Sequence, residues 1–540
     1  MPARSLRNAR WVEAATIAVL TAWAWSDRFV QDDAFISFRY AAHLAGGHGF
    51  VWNVGGGHLE GFTNFLFTLL IAGCMKLGIE PVTASYAIGL TSFAATLGFA
   101  AATTETLTES RRAGWLAIVI LGTNFSFRAY ATGGLETSLQ TSLFTAAAWL
   151  VARMNADGDR GVSRLVALSC IAAAAVATRL DSSLVVGILV ASTVAALVTQ
   201  PGPRVAKVVG LLVPGAIVSG ALVAFKLAYF GNVLPNTFYA KAPSLALALH
   251  GVEYVAAFGR CYGLVAPLLV AAVYAPAAIR MGGRAALIVL ACVVVWGGYV
   301  AAVGGDFMEF RFLVPTYPLL VTFVLFCLVR GGAPWLLVGA LSGAFVIESA
   351  AHQYDTYDEP FLYQGAAIET IHGLSEHLSS PTQGWSEIGR ALARDLDGAD
   401  DVTIAVGAAG AIPYFSKLRT IDILGINDAW VAREGILLEG SRPGHTRIAP
   451  MSYLVAQHVT LIVLPTASDI VPFEPPVYTA DDLHRLAPPG DIPTDARVVE
   501  IPVSATYHLR VLYLTPSASV DRLVREGRWR VIDVVRPGAR

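Results

Sequence analysis

Residues 62–77, FTNFLFTLLIAGCMKL, decide how the whole chain is threaded. The stretch is apolar, but sixteen helical residues reach only about 24 Å, short of a hydrocarbon core of about 30 Å. Runs long enough to span lie at 11–27, 82–104, 113–131, 137–153, 164–180, 182–199, 206–229, 262–279, 285–304, 312–330 and 333–350. Arginine and lysine placement tells whether 62–77 adds a crossing. Arg4, Arg7 and Arg10 put the N-terminus in the cytoplasm. If 62–77 lies along or dips into the outer face, the inside loops hold Arg111 and Arg112, then Arg153, Arg160 and Arg164, then Arg204 and Lys207, Arg280 and Arg284, and Arg330. If it crosses, most of these move outside. The expectation is a polytopic α-helical membrane protein of about eleven spans, with a juxtamembrane helix in a first outer loop, 27–81. The first run resembles a signal peptide, but ten further spans follow it, so it reads as an uncleaved anchor.

Composition agrees. Of 540 residues, 55% are hydrophobic and 14% charged, with a mean hydropathy of +0.57. Residues 1–350 carry 38 of the 78 charged side chains and residues 351–540 carry the other 40, an ordinary soluble density. Two domains are expected: 1–350 in the membrane and 351–540 as a soluble α/β domain outside the cytoplasm. The soluble part shows a helix pattern at 385–396, strand-like runs at 402–406, 419–424, 458–464, 496–503 and 508–514, and a helix near 519–527. Proline-rich 471–493 reads as a connecting loop. A net charge of −2 gives no case for a nucleic-acid partner. All five cysteines fall in the hydrophobic part, none in a metal-ligand spacing.

On this threading the outer face collects Asp32, Asp33, Arg39, Glu60, Arg128, Glu136, Arg179, Asp181, Lys226, Lys241, Asp306, Glu309 and Arg311 at span ends or in flanking loops. Ionisable groups at membrane depth are costly and tend to mark sites. Snorkelling explains some of them singly. Their concentration on one face points to an outward-facing polar cavity.

The motifs run in a fixed order: DDAFISFRY (32–40), GGHGFVWN (46–53), LEGFTNFLFTLL (59–70), GLE (134–136), TRLD (178–181), GNVLPNTFYAK (231–241), GGDFMEFRFLVP (304–315), GAIPYFSKLRTIDILGIND (410–428) and RPGHTR (442–447). This series resembles the bacterial GT-C glycosyltransferases, and most of all the mycobacterial terminal β-(1→2) arabinofuranosyltransferase family. The resemblance covers almost the whole chain; the first block and the GGDFM–RF block are its specific parts. It implies an enzyme of the bacterial cytoplasmic (inner) membrane that takes a sugar from a polyprenyl-phosphate carrier and passes it to an exoplasmic glycan acceptor. It also implies an acidic catalytic base at the start of the first outer loop, where Asp32 and Asp33 stand; the family position points to Asp32, with Asp33 orienting the neighbouring helix or binding a sugar hydroxyl.

The chemistry agrees. Displacing a polyprenyl phosphate at an anomeric carbon calls for a base on the acceptor hydroxyl and for cations on the phosphate. The bland reading of the Asp pair is a helix N-cap and a favourable dipole charge. Arg39 lies about two helical turns on, on a similar face if 33–45 is helical, and is expected to bind substrate. Asp306 follows two glycines, and Arg311 faces the same boundary layer; substrate binding and a structural ion pair weigh equally there, as they do for Arg179 with Asp181. Glu136 reads as a helix cap slightly ahead of a sugar contact. Tyr239 and Lys241 flank the lipid phosphate on one reading. His445 and Arg447 reach carbohydrate or stand in an idle surface loop.

Asp157-Gly158-Asp159 has the D-x-D spacing of nucleotide-sugar sites, but it falls in an arginine-bearing inside loop and reads as a solvated turn. VGAAGAIP (406–413) lacks G-x-G-x-x-G and the P-loop lysine. The metal requirement stays open, since carboxylates alone suffice for Mg²⁺, Mn²⁺ or Ca²⁺. The leading expectation is transfer of a pentofuranose, arabinofuranose by resemblance. The rivals are a polyprenyl-phosphate hexose (mannose) transferase and a lipid or glycan transporter, the latter disfavoured because no inverted repeat is present.

Overall fold

A computed structural model of the chain describes residues 3–199, 204–241, 245–363, 366–379, 384–438, 444–464, 470–472, 478–479 and 483–535. Each of the eleven apolar runs falls on helix. Among the described residues, five helices are long and apolar enough to cross a membrane: Pro81–Thr108, Leu180–Thr199, Arg204–Phe230, Arg284–Ala302 and Trp335–Asp355. The pair Leu245–Cys261 and Val265–Arg280 passes the same length and hydropathy test only when taken together, and it is bent by 89° at the break. The first helix of that pair was not among the expected spans; of the other runs, 11–27 and 137–153 lie on the long but less apolar helices Ala3–Ser26 and Thr137–Asp157, and the rest are shorter or broken. Local chemistry sets many of the ends. Glu80 accepts a hydrogen bond from the Thr83 amide beside Pro81 at the first helical turn. The Asn124 side chain accepts from the Phe127 amide and so splits the 113–131 run into Arg111–Thr123 and Phe125–Ala129.

Residues 62–77 hold one short helix, Phe65–Lys76, of 12 residues. At about 18 Å it is too short to cross. It packs against a first-loop helix, Asp32–Ala45, and against Pro81–Thr108.

The C-terminal part is built on a mixed sheet in the order Arg530–Ile532, Arg497–Pro502, Tyr507–Tyr513, Leu461–Val463, Thr403–Val406, Arg419–Asp422. The last three strands are parallel, and the others pair antiparallel. The helix Trp385–Leu396 covers the sheet, as its 3.6-residue pattern predicted. Strand Ile470–Pro472 pairs with Tyr507–Tyr513 inside a stretch read as loop. Of that stretch, 473–477 and 480–482 lie outside the described residues, as do 442–443 of RPGHTR.

The first loop joins the two parts. Ile36, Tyr40, Phe50, Trp52 and Phe62 share one buried cluster with Ile388, Ile404, Ile412 and Leu418 of the soluble domain. Its core therefore continues into residues 32–64 instead of closing at 351. The two ends of the bundle differ in kind. At one, Arg111 pairs with Glu13, Arg164 with Asp157 and Arg330 with Glu109. At the other, the loops carrying Asp33, Glu136, Arg179, Lys241, Asp306 and Arg311 converge beneath the soluble domain.

Candidate active site

The site begins with the helical repeat of Asp32–Ala45. Residues seven apart share a face, so Asp32 and Arg39 point one way while Asp33 and Ser37 point another. The Asp32–Arg39 face meets the soluble domain. The Asp32 carboxylate accepts hydrogen bonds from the backbone amides of Gly410 (3.0 Å) and Ala411 (2.7 Å). Gly410 has room for no Cβ, since one would stand 2.0 Å from the Asp32 carbonyl oxygen. The Arg39 guanidinium donates to the carbonyls of Trp52 (2.9 Å), Leu418 (2.9 Å) and Pro413, and to Asn53 Oδ1 (3.1 Å). Arg39 was expected at the substrate; it clamps the first loop to the 413–418 segment instead and does not line the cavity described next.

The other face opens on a cavity of ≈ 110 Å³ lined by Asp33, Ser37, Glu136, Arg179, Lys241 and Arg311 among others. Its cations surround one ring. The Arg311, Arg179 and Lys241 charges lie 4.9, 5.1 and 5.6 Å from the Phe312 centroid. Arg311 pairs with Asp306 at 2.7 Å. Arg179 pairs with Asp181 at 2.7 Å and with Glu136 at 2.8 Å. Lys241 makes no ion pair among the described residues, and burial holds its ammonium below the usual lysine range against the pull of Asp306.

Behind these cations runs a chain of hydrogen bonds. Ser37 and Thr68 donate to Asn64 Oδ1, Asn64 donates to Glu136 Oε2 (2.8 Å), and Tyr299 donates to Asp181 (3.0 Å). Glu136 makes no side-chain cap to its helix. The cap reading is therefore corrected: both of its oxygens engage Arg179 and Asn64.

Asp33 differs from its neighbour. Its carboxylate has no ion pair within 4 Å among the described residues, and burial raises its pKa, opposed first by Arg311 and also by Lys241. It also lines a second cavity, of ≈ 340 Å³, between the first loop and the soluble domain. That cavity is bordered by His445, His377, Trp385 and Asp422. His445 sits with its ring 5.2 Å from Phe307. Burial lifts the Asp32 carboxyl to about 7 despite its two amide donors. Burial likewise raises Asp422 to about 6, against bonds from the amides of Asn427 and Leu424.

The structure thus brings Asp33, Glu136, Arg179, Lys241, Asp306 and Arg311 to one cavity. Asp32 and His445 border the second. Tyr239 lines neither; the Arg433 guanidinium lies over its ring at 4.3 Å. Asp157 and Asp159 pair with Arg164 at the far end. In the VGAAGAIP segment the amides of Gly410 and Ala411 are directed at Asp32. Glu136, Asp181 and Asp306 are engaged by arginines, and among the described residues no three His, Cys, Asp or Glu side chains gather as metal ligands. Asn64 and Phe312 were missed, since each stands in an apolar run that reads as bilayer or core.

Comparison with known proteins agrees with the motif series. The chain is 27% identical over 347 residues to a terminal β-(1→2)-arabinofuranosyltransferase of Corynebacterium glutamicum, covering 58% of this chain and 50% of that one. It is 26% identical over 279 residues to the enzyme of the same name from Mycobacterium tuberculosis, covering 49% and 43%. The chain therefore spans about half the length of the curated relatives it matches. Residues 372–513 match a family described as a domain of unknown function, DUF8728. The fold is shared with ArnT from Cupriavidus metallidurans, whose undecaprenyl phosphate-bound crystal structure aligns with a TM-score of 0.57 at 12% identity, over 93% of this chain and 97% of that one. Its apo form gives 0.55. The resemblance to GT-C glycosyltransferases holds at the level of sequence relatives and of fold.

Proposed function

We propose that this chain transfers a pentofuranose, arabinofuranose, from a polyprenyl phosphate to a glycan acceptor at the outer face of the bacterial cytoplasmic membrane. One observation carries the reading: the unpaired Asp33 carboxylate faces a cavity in which Arg179, Lys241 and Arg311 gather around Phe312. The names of the sequence relatives support the sugar.

In this scheme the three cations hold the phosphate of the donor, and Lys241 is the one free to give it a direct charge-assisted bond. Asp33 takes the proton from the acceptor hydroxyl as its oxygen bonds to the anomeric carbon. The bond from that carbon to the phosphate oxygen breaks with its electron pair, and polyprenyl phosphate leaves. Its added negative charge develops beside Arg311 and Arg179, where preorganised cations stabilise it more than water would. Burial that raises the pKa of Asp33 makes it a stronger base than an exposed carboxylate.

Purified protein would be incubated with an arabinan acceptor and either polyprenyl-phosphoryl-arabinofuranose or polyprenyl-phosphoryl-mannose, each labelled in the sugar. Transfer from the arabinose donor alone is expected. Transfer from mannose alone makes the chain a hexose transferase, and turnover of neither overturns the reading.

A further inference from the structure

At the end of the bundle away from the active site, three helices enclose a groove. Ala3–Ser26 and Trp335–Asp355 both pack against Arg111–Thr123. Near Ser26 and Asp355 the first and last of these are joined through Arg128, which donates to Asp27 and to Gln353 at 2.8 Å each. At the opposite end, residues of all three line an open space of ≈ 460 Å³. Its walls are Val12, Trp115, Leu116 and Trp335, with Arg111 and Arg112 beside them. Nothing fills it from within: Gly339 also lines it, and a Cβ there would meet no atom within 4 Å.

The charge of the groove is unbalanced. Its one carboxylate, Glu13, is taken by Arg111, whose Nε and Nη2 donate to the two oxygens at 3.1 and 3.3 Å. Arg112 is exposed, and its guanidinium makes no ion pair or hydrogen bond among the described residues. The Trp115 indole donates to Thr16 Oγ1 at 3.2 Å, whereas the Trp335 N–H has no acceptor among the described residues. Trp115 and Trp335 are 38% and 42% exposed, as tryptophans are where headgroups meet acyl chains. An occupant of this place must be amphipathic, with an apolar chain for the groove and an anion for Arg112. A guanidinium binds phosphate through paired, charge-assisted N–H bonds. A zwitterionic headgroup would bring its ammonium beside two arginines with the only carboxylate already engaged; an anionic headgroup meets no such repulsion.

We propose that this groove binds one phospholipid with an anionic headgroup, in the leaflet opposite the active site. Its phosphate meets Arg112 and the Trp335 N–H, and one acyl chain lies against Gly339. Bound there, the lipid ties Ala3–Ser26 to Trp335–Asp355 at the end that Arg128 does not reach. The site is separate from both cavities and does not depend on which sugar is transferred.

The test titrates the full-length protein in detergent micelles with phosphatidylglycerol and follows thermal unfolding, since a ligand of the folded state raises the unfolding temperature. Phosphatidylcholine with the same chains and inorganic phosphate are titrated in parallel. Arg112→Gln removes the anion partner, and Gly339→Leu fills the groove while leaving the arginine, so one variant stands if the other fails to fold. Arg153→Gln, a change to an exposed arginine at the same end of the bundle, is the control. A saturable rise with phosphatidylglycerol alone is expected in wild type and in Arg153→Gln. In Arg112→Gln and Gly339→Leu its midpoint should move to about tenfold more lipid, as loss of a charge-assisted bond or of the chain contact predicts. The proposal is overturned if wild type shows no saturable rise, or if phosphatidylcholine or inorganic phosphate gives the same one. It is also overturned if either groove variant keeps the wild-type midpoint, or if Arg153→Gln shifts as they do.

Discussion

The Asp32 carboxylate lies 2.7 Å from the backbone nitrogen of Ala411, a residue 379 positions away in the soluble domain. Together with the Gly410 amide it turns the first acidic residue of the motif into a peg for the soluble domain, and leaves Asp33 to face the cavity. The Asp32→Asn change keeps one acceptor for two amides and removes the charge. It should loosen docking by about 1.5–3 kcal/mol, the range for hydrogen bonds to a charged group. Hydrogen exchange at Gly410 and Ala411 should accelerate while the amides of Trp385–Leu396 keep their protection; unchanged exchange at the loop would contradict the peg role.

A pH profile bears on Asp33. Its pKa is raised by burial, so the ionised form, and with it the rate, should grow as pH rises through a value above the ordinary 3.8. Lys241 lowers that pKa, so removing the cation raises it further. The acid limb of the transfer rate for Lys241→Gln should therefore move to higher pH than wild type. A shift to lower pH would show that another group titrates.

The cations make a separate prediction. Arg311→Gln removes a phosphate partner and strands Asp306, 2% exposed, without its counter-charge. The single variant should lose stability, and the double variant Asp306→Asn/Arg311→Gln should recover it. Both should raise the donor KM by about tenfold or more, as loss of a charge-assisted bond predicts. Recovery of donor affinity in the double variant would mean that the pair is structural.

Threading is tested by fusions. A reporter active only outside the cytoplasm should work after Arg540 and fail after Arg160. Asp157→Asn and Asp159→Asn should leave transfer unchanged, because their partners Arg153 and Arg164 lie at the end of the bundle away from both cavities. Loss of activity at normal membrane levels would reopen the case for a nucleotide sugar.

Periodicity carried much of the fold in advance. The amphipathic helix 385–396 and the strands near 403, 419, 461, 497 and 507 were legible because each buries one face on one sheet. Helix Leu245–Cys261 was not, since its apolar pattern is interrupted by His250, Glu253 and Arg260. The acidic pair was legible, but which member faces the substrate was not: the partners of Asp32 lie in a loop that only tertiary folding brings near. Arg39 misled for the same reason. Its seven-residue spacing from Asp32 correctly placed the two on one face, and that face meets protein, not substrate. The domain 351–540 has an ordinary soluble charge density, yet its core takes in Ile36, Tyr40 and Trp52. Expressed as 352–540 it should expose apolar surface and bind a hydrophobic dye that the whole protein does not.

The central claim is that Asp33 is the base of a polyprenyl-phosphate-dependent transfer. Its most direct test is the rate at which wild type, Asp33→Asn and Asp32→Asn release polyprenyl phosphate from labelled polyprenyl-phosphoryl-arabinofuranose in the presence of acceptor, at matched protein levels. Loss of general-base assistance should slow Asp33→Asn by 10²–10⁴-fold, with the donor still bound, and Asp32→Asn should fall by much less. A near-normal rate for Asp33→Asn, or the larger loss at Asp32, would contradict the account.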